Sequence, residues 1–142
     1  GAAQMQHWLD RLQYGNRDVS AGIDRFWLGS SLRIDAYQQL QLIRSLWRDG
    51  LPFDHGHQQA VRVMLRQDSP LPGTVYGKTG SCLGDPRSGV PDHGWFIGWI
   101  EWEAGRERNP ATSWFVIRIV GDRARGWTAR DLTLELLQHL QP

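Results

Sequence analysis

Residues 74–80, Thr74-Val75-Tyr76-Gly77-Lys78-Thr79-Gly80, decide how the chain is built. Strand formers lead into a Gly-flanked lysine, and the stretch reads as a strand. Two further runs follow. Trp95–Trp102 is apolar on both alternating faces apart from Gly98 and Glu101, and Trp114–Val120 is so apart from Arg118. Strands of that kind are covered on both sides. Residues 103–112 are short enough to join the two runs as an antiparallel pair. Residues 81–93 hold turn-favouring Gly, Pro, Asp and Ser and read as a loop.

Outward from this sheet the sequence predicts helices. Residues 4–12 end a helix with Met5, Trp8, Leu9 and Leu12 on one side, and residues 13–33, broken by Gly15, Gly22 and Gly29, are loop with short turns. Asp35 to Asp49 is a helix opened by an Asp35/Gln38 capping box, striped by Leu40, Ile43, Leu46 and Trp47, and stopped by Gly50. Residues 57–67 predict a shorter helix with Val61, Met64 and Leu65 inward. The last helix takes Thr128 as N-cap and Asp131 at N3, with Leu132, Leu136, Leu137 and Leu140 on one face. The fold class is therefore α+β, an antiparallel sheet flanked by helices. Residues 1–72 form a mainly helical part, and residues 73–142 form the strands and the C-terminal helix.

Composition narrows the function. Sixteen Lys+Arg against fifteen Asp+Glu give a net charge of +1, so no basic field draws the chain to nucleic acid or anionic lipid. No apolar run is long enough to span a membrane. One cysteine, Cys82, excludes an internal disulfide framework and a Cys-based zinc cluster. The chain starts Gly1-Ala2-Ala3, and the expectation is a removed leader or a piece of something longer. The sole lysine, Lys78, stands in an Arg-rich background, where a compact charge with an adjustable pKa has a distinct use.

Several chemistries can be weighed. Gly77-Lys78-Thr79 suggests a phosphate loop, but only three residues separate Gly73 from Gly77 and no helix can follow promptly. Asp54, His55 and His57 have ligand chemistry without a second cluster, so no metal is expected. No nucleophile elbow exists. On a strand, Lys78 and Gly80 face one way and Thr79 the other, and the glycines at 77 and 80 let a ligand lie along the backbone. That reading competes with a surface lysine in a turn. Tyr14-Gly15-Asn16 is either a turn or an amide and a hydroxyl offered to a cleft.

The order of segments is more specific than any one of them. Tyr14-Gly15-Asn16, Phe26-Trp27-Leu28, Leu32-Arg33-Ile34, Tyr76-Gly77-Lys78-Thr79-Gly80, Gly94-Trp95-Phe96-Ile97-Gly98-Trp99 and Arg130 follow one another along nearly the whole chain. Together they resemble the C-terminal portion of a class D (oxacillinase-type) serine β-lactamase, and are similar to the penicillin-sensing domain of β-lactam receptors.

The resemblance implies hydrolysis of the β-lactam amide through an acyl-serine. It implies that Lys78, Thr79 and Gly80 line the bound antibiotic and that the Ser81 N–H is an oxyanion donor. Arg130 with Thr79 would hold the antibiotic's carboxylate, Trp27 would seat a carboxylated lysine that acts as base, and Tyr14 and Asn16 would border the cleft. The family's Ser-x-x-Lys is absent, since Val75 stands three residues before the only lysine. Ser88-Gly89-Val90 matches the letters of the family's Ser-x-Val, but in the wrong order. The chain is therefore expected to be one portion of a single domain, to need the N-terminal portion as partner, and to be inactive alone. A homodimer, no cofactor within this portion, and a bacterial periplasmic or secreted location complete the expectations. A receptor sensor and a non-catalytic binding or assembly module remain the alternatives.

Overall fold

A computed structural model describes residues 1–84, 89–103 and 111–140. The elements run α1 (Ala2–Leu12), α2 (Ala36–Trp47), α3 (His55–Leu65), β1 (Arg66–Gln67), β2 (Gly73–Cys82), β3 (His93–Trp102), β4 (Thr112–Val120) and α4 (Gly126–His139). The strands form one antiparallel sheet in the order β1-β2-β3-β4. The predicted α+β class and the antiparallel strand pair are what the chain adopts. Most of the 103–112 connection lies outside the described residues.

The two apolar faces of the strands explain the layering. Val75, Phe96, Ile100, Trp102 and Phe115 face α4 and form one core with Ala129, Leu134 and Leu137. Trp99 faces the other way and packs with Ile43 and Leu46 of α2. Val75, Phe96, Trp99 and Ile100 have no exposed surface. Burial of such side chains stabilises by about 1.5–3 kcal/mol each, so losing either covering layer would be costly. Gly77 sits under the Phe96 ring, where an added Cβ would come within 2.5 Å of Phe96 Cζ. Its lack of a side chain therefore serves this packing, not a ligand, whereas a Cβ on exposed Gly80 would meet only Trp95 Cβ, at 3.9 Å on the opposite face.

Helix α2 forms as its sequence predicts. Asp35 accepts from the Gln38 N–H at 2.8 Å, and the Gln38 side chain accepts from the Asp35 N–H at 3.2 Å. It ends in a Schellman arrangement, with the Gly50 N–H donating to the Ser45 carbonyl and Asp49 taking the left-handed conformation at φ 57°.

Two helices depart from expectation. Val61 and Met64 of α3 are 39% and 73% exposed, while Gln58 is buried. The Gln58 amide accepts from the Leu51 N–H and donates to the Leu51 and Phe53 carbonyls. The buried turn before α3 needs those hydrogen bonds, and this need outweighs the apolar stripe. Arg66 and Gln67 leave the helix to pair with Tyr76 and Val75 as β1.

Helix α4 begins at Gly126 with Arg125 at the N-cap, three residues before the expected N-cap Thr128, and Arg125 makes no side-chain cap. Its inward face is Gly126, Ala129, Thr133, Leu134 and Leu137. Leu132, Leu136 and Leu140 are 40%, 43% and 67% exposed. Close approach to the sheet selects the small residues. No described helix is long and apolar enough to cross a membrane.

The exposed leucines recur every fourth residue, so they share one flank of α4. Arg130, on the opposite flank, reaches the Asp68 carbonyl beside β1, which puts the leucine flank toward β4. The outer edge of β4 has no partner strand among the described residues. An apolar flank beside an open edge favours association. The isolated chain should therefore self-associate with rising concentration, and Leu136→Glu should lower this without lowering the melting temperature. Sedimentation velocity on both forms checks it; monomers at every concentration for the wild type would refute it.

Candidate active site

The geometry follows from the shortness of β1. It pairs only with Val75 and Tyr76 of β2. Just beyond, the Gln67 side chain donates to the Gly77 carbonyl at 3.2 Å, which shows that the Gly77 peptide groups face this outer edge. The register between β2 and β3 is unbroken from Gly73 to Cys82. Antiparallel alternation then points the N–H and C=O of Thr79 and Ser81 to the same edge. No strand covers that edge past Gly77 among the described residues.

Side chains alternate as predicted. Lys78 and Gly80 stand on the face shared with Tyr76, and Lys78 is exposed, its ammonium donating to the Thr79 carbonyl on the open edge. Thr79 and Ser81 stand on the α4 face. The Gly126 N–H donates to Ser81 Oγ at 2.9 Å. Because the Lys-Thr-Gly stretch lies within a strand, the phosphate-loop reading is excluded.

Trp27 comes to the same end of β2. Its neighbour Phe26 is buried and meets the Trp27 ring edge-on at 4.9 Å, while Trp27 itself is 52% exposed. A Cβ at Gly29 would lie 2.9 Å from Cys82 Sγ, so this loop abuts the strand one residue beyond Ser81.

Tyr14 and Asn16 are used internally. The Tyr14 hydroxyl accepts from Gln39 at 3.0 Å, and burial raises its pKa above the ordinary phenol value. Asn16 donates to the Ser31 carbonyl and accepts from the Arg33 N–H, tying the 13–33 loop to itself. Gly15, between them, has φ +56° and touches the Arg33 carbonyl, which fits the turn reading.

Arg130 is not brought to the Lys78–Ser81 end. Its guanidinium donates to the Asp68 carbonyl, beside the start of β2, and to Asp131. The arginine at the relevant end is Arg125. Its carbonyl is 2.2 Å from where a Cβ would sit on Gly94, the cross-strand partner of Ser81. Its guanidinium is ion-paired with Asp92, and both side chains are about four-fifths buried. The expected N-cap, Thr128, lies three residues past the observed one, Arg125, so Arg130 falls in the second turn of α4 and not in its first. Among the described residues no three His, Cys, Asp or Glu side chains converge. His55 instead faces Asp49 at 3.2 Å, and His57 faces Asp54 at 3.6 Å.

Residues 1–107 match the penicillin-binding protein transpeptidase domain. The chain is 38% identical over 138 residues to a probable β-lactamase, YbxI, of Bacillus subtilis, covering 97% of this chain and 46% of that protein. It is 36% identical over 104 residues to β-lactamase OXA-10 of Pseudomonas aeruginosa, covering 72% of this chain and 38% of that protein. Among solved structures, a mutant of the class D β-lactamase BAT-2 superposes with a TM-score of 0.81 at 35% identity, over 99% of this chain and 53% of that one. A class D β-lactamase from Bacillus subtilis gives 0.78 at 37%, over 96% and 52%. The chain belongs to the penicillin-binding transpeptidase family, in which its relatives are class D β-lactamases, and it matches their C-terminal part. It spans about half the length of the relatives it matches.

The Asp92–Arg125 pair carries a pH signature. Hydrogen bonds from Arg125, then from the Gly84 N–H, hold the Asp92 carboxyl below its ordinary value. A depressed folded-state pKa adds stability that is present above the unfolded value of 3.8 and lost as pH falls through the folded one. Asp92→Asn should therefore melt below the wild type at neutral pH, with the gap closing in strong acid. Thermal melts across that range check it, and a gap independent of pH would refute it.

Proposed function

We propose that this chain forms the substrate-holding half of a β-lactam-hydrolysing active site. The observation that carries this reading is the open edge of β2, where the Ser81 N–H, Lys78 and the Trp27 loop meet. A β-lactam carries a peptide-like amide, and an open strand edge is the surface that pairs with extended amides. That the relatives above are named β-lactamases supports the same reading.

In this mechanism a serine oxygen from the other half of the domain attacks the lactam carbonyl, and the ring C–N bond then breaks to give an acyl-serine. The Ser81 N–H is one donor to the developing oxyanion, a contribution of about 3 kcal/mol to the barrier. Lys78 lends positive charge beside the reacting centre, and Thr79 and Gly80 line the antibiotic. Arg125, not Arg130, attracts the antibiotic's carboxylate, because it stands at the start of α4 next to the Ser81–Gly94 pair. The Trp27 indole seats the carboxylated lysine of the other half. Tyr14 and Asn16 shape the loop that carries Trp27 and do not touch substrate. Water then releases the acyl group, which separates an enzyme from a sensor. The working protein lies in the bacterial periplasm or is secreted.

The test uses a fluorescent penicillin and mass detection of the adduct. The chain alone should form none. Combined with a polypeptide carrying the Ser-x-x-Lys half, it should form one that turns over. In that assembly Arg125→Ala should raise the half-saturating antibiotic concentration about 30-fold or more, the effect of losing about 2 kcal/mol or more from a desolvated charge pair. Arg130→Ala should leave it unchanged. An adduct on the isolated chain would refute the division of labour, and the reverse pattern for the two arginines would refute the clamp.

A further inference from the structure

We infer that the Ser81 hydroxyl is a positioning residue: it caps α4 from across the fold and so holds the helix start and the open edge of β2 as one unit. The inference rests on the reading of the Ser81 N–H as an oxyanion donor. A helix leaves its first N–H groups without intrahelical partners, and a local Ser, Thr, Asp or Asn side chain usually satisfies one of them. Helix α4 has no such residue. Arg125 occupies the N-cap and makes no cap hydrogen bond. A cation there is also unfavourable to the helix dipole. The partner comes from 45 residues away, as the Gly126 N–H donates to Ser81 Oγ at 2.9 Å.

Ser81 thus works in two perpendicular directions. Its side chain points from the sheet face into the start of α4. Its peptide N–H points in the sheet plane to the uncovered edge. The junction is tight. A Cβ at Gly126 would lie 2.8 Å from the Gly80 carbonyl oxygen and 2.9 Å from Thr79 Cβ, so the backbones touch. Past Gly77 no strand among the described residues steadies the outer side of β2, and a strand end with one free edge is where local opening begins. The Ser81–Gly126 hydrogen bond ties down that end.

Ser81→Ala keeps the peptide N–H and deletes the cap, while Ser81→Thr keeps a hydroxyl. Amide hydrogen exchange on the chain should show the Gly126 amide of Ser81→Ala exchanging about fivefold faster, the effect of losing a helix cap. The amides of Thr79 to Ser81 should speed up with it, and Ser81→Thr should behave as wild type. An unchanged Gly126 amide overturns the cap. Acceleration at Gly126 alone overturns the coupling. In the assembly with the Ser-x-x-Lys half, Ser81→Ala should slow acylation at saturating penicillin about tenfold or more, with the half-saturating concentration unmoved and Ser81→Thr restoring the rate. An equal saturating rate for wild type and Ser81→Ala overturns the positioning role. If the wild-type assembly forms no adduct at all, the proposed function fails, and the exchange data alone uphold or overturn the cap.

Discussion

The strands β2, β3 and β4 are apolar on both faces, and everything else in the fold answers to that. A sheet so composed must be covered twice. Helix α4 covers one face over Val75, Phe96, Ile100 and Phe115, and α2 covers the other over Trp99. With both faces closed, the backbone can meet a ligand only at an edge. The two-residue β1 closes the outer edge of β2 as far as Tyr76, and the Gln67 side chain extends that cover by one carbonyl. The next amides, at Thr79 and Ser81, are left facing outward. Among the described residues, the candidate site is thus the place where a doubly covered sheet runs out of strand.

The same packing divides labour among residues that look alike in sequence. Gly77 and Gly80 flank the only lysine, yet one makes room for the Phe96 ring and the other is exposed, with a side chain there meeting only Trp95 Cβ at 3.9 Å. Thr79 and Ser81 turn toward α4, whose first peptide groups press against them. Arg125 and Arg130 lie five residues apart, which is more than one turn of helix. One stands at the helix start beside Gly94, and the other reaches back to the Asp68 carbonyl. A shift of three residues in the N-cap, from Thr128 to Arg125, therefore changes which arginine stands at the helix start.

The Asp92–Arg125 pair adds a condition to any role for Arg125 as an anion holder. Its guanidinium is already partnered, and both side chains are largely buried. A planar fork with five donors can serve one carboxylate and still present another edge. Asp92 in that case orients the arginine and offsets the cost of placing a cation at a helix N-terminus.

Sequence alone determined what depends on local chemistry and on period. The capping box of α2, the strands apolar on both faces, their antiparallel pairing and the opposed faces of Lys78 and Thr79 all follow from neighbours a few residues apart. The family also follows, because the order of its segments is written in the chain. Tertiary structure decided what depends on distant partners. Gln58 is buried because a turn outside its own helix needs its amide, so the apolar pattern of α3 misleads. The first N–H of α4 donates to a serine 45 residues upstream, and Arg125 makes no cap hydrogen bond, so no local cap marks the helix start. Tyr14 and Asn16 are taken up by Gln39, Ser31 and Arg33, partners that a tripeptide cannot disclose. Which arginine lies beside Ser81 was settled last, because it waits on where that helix begins.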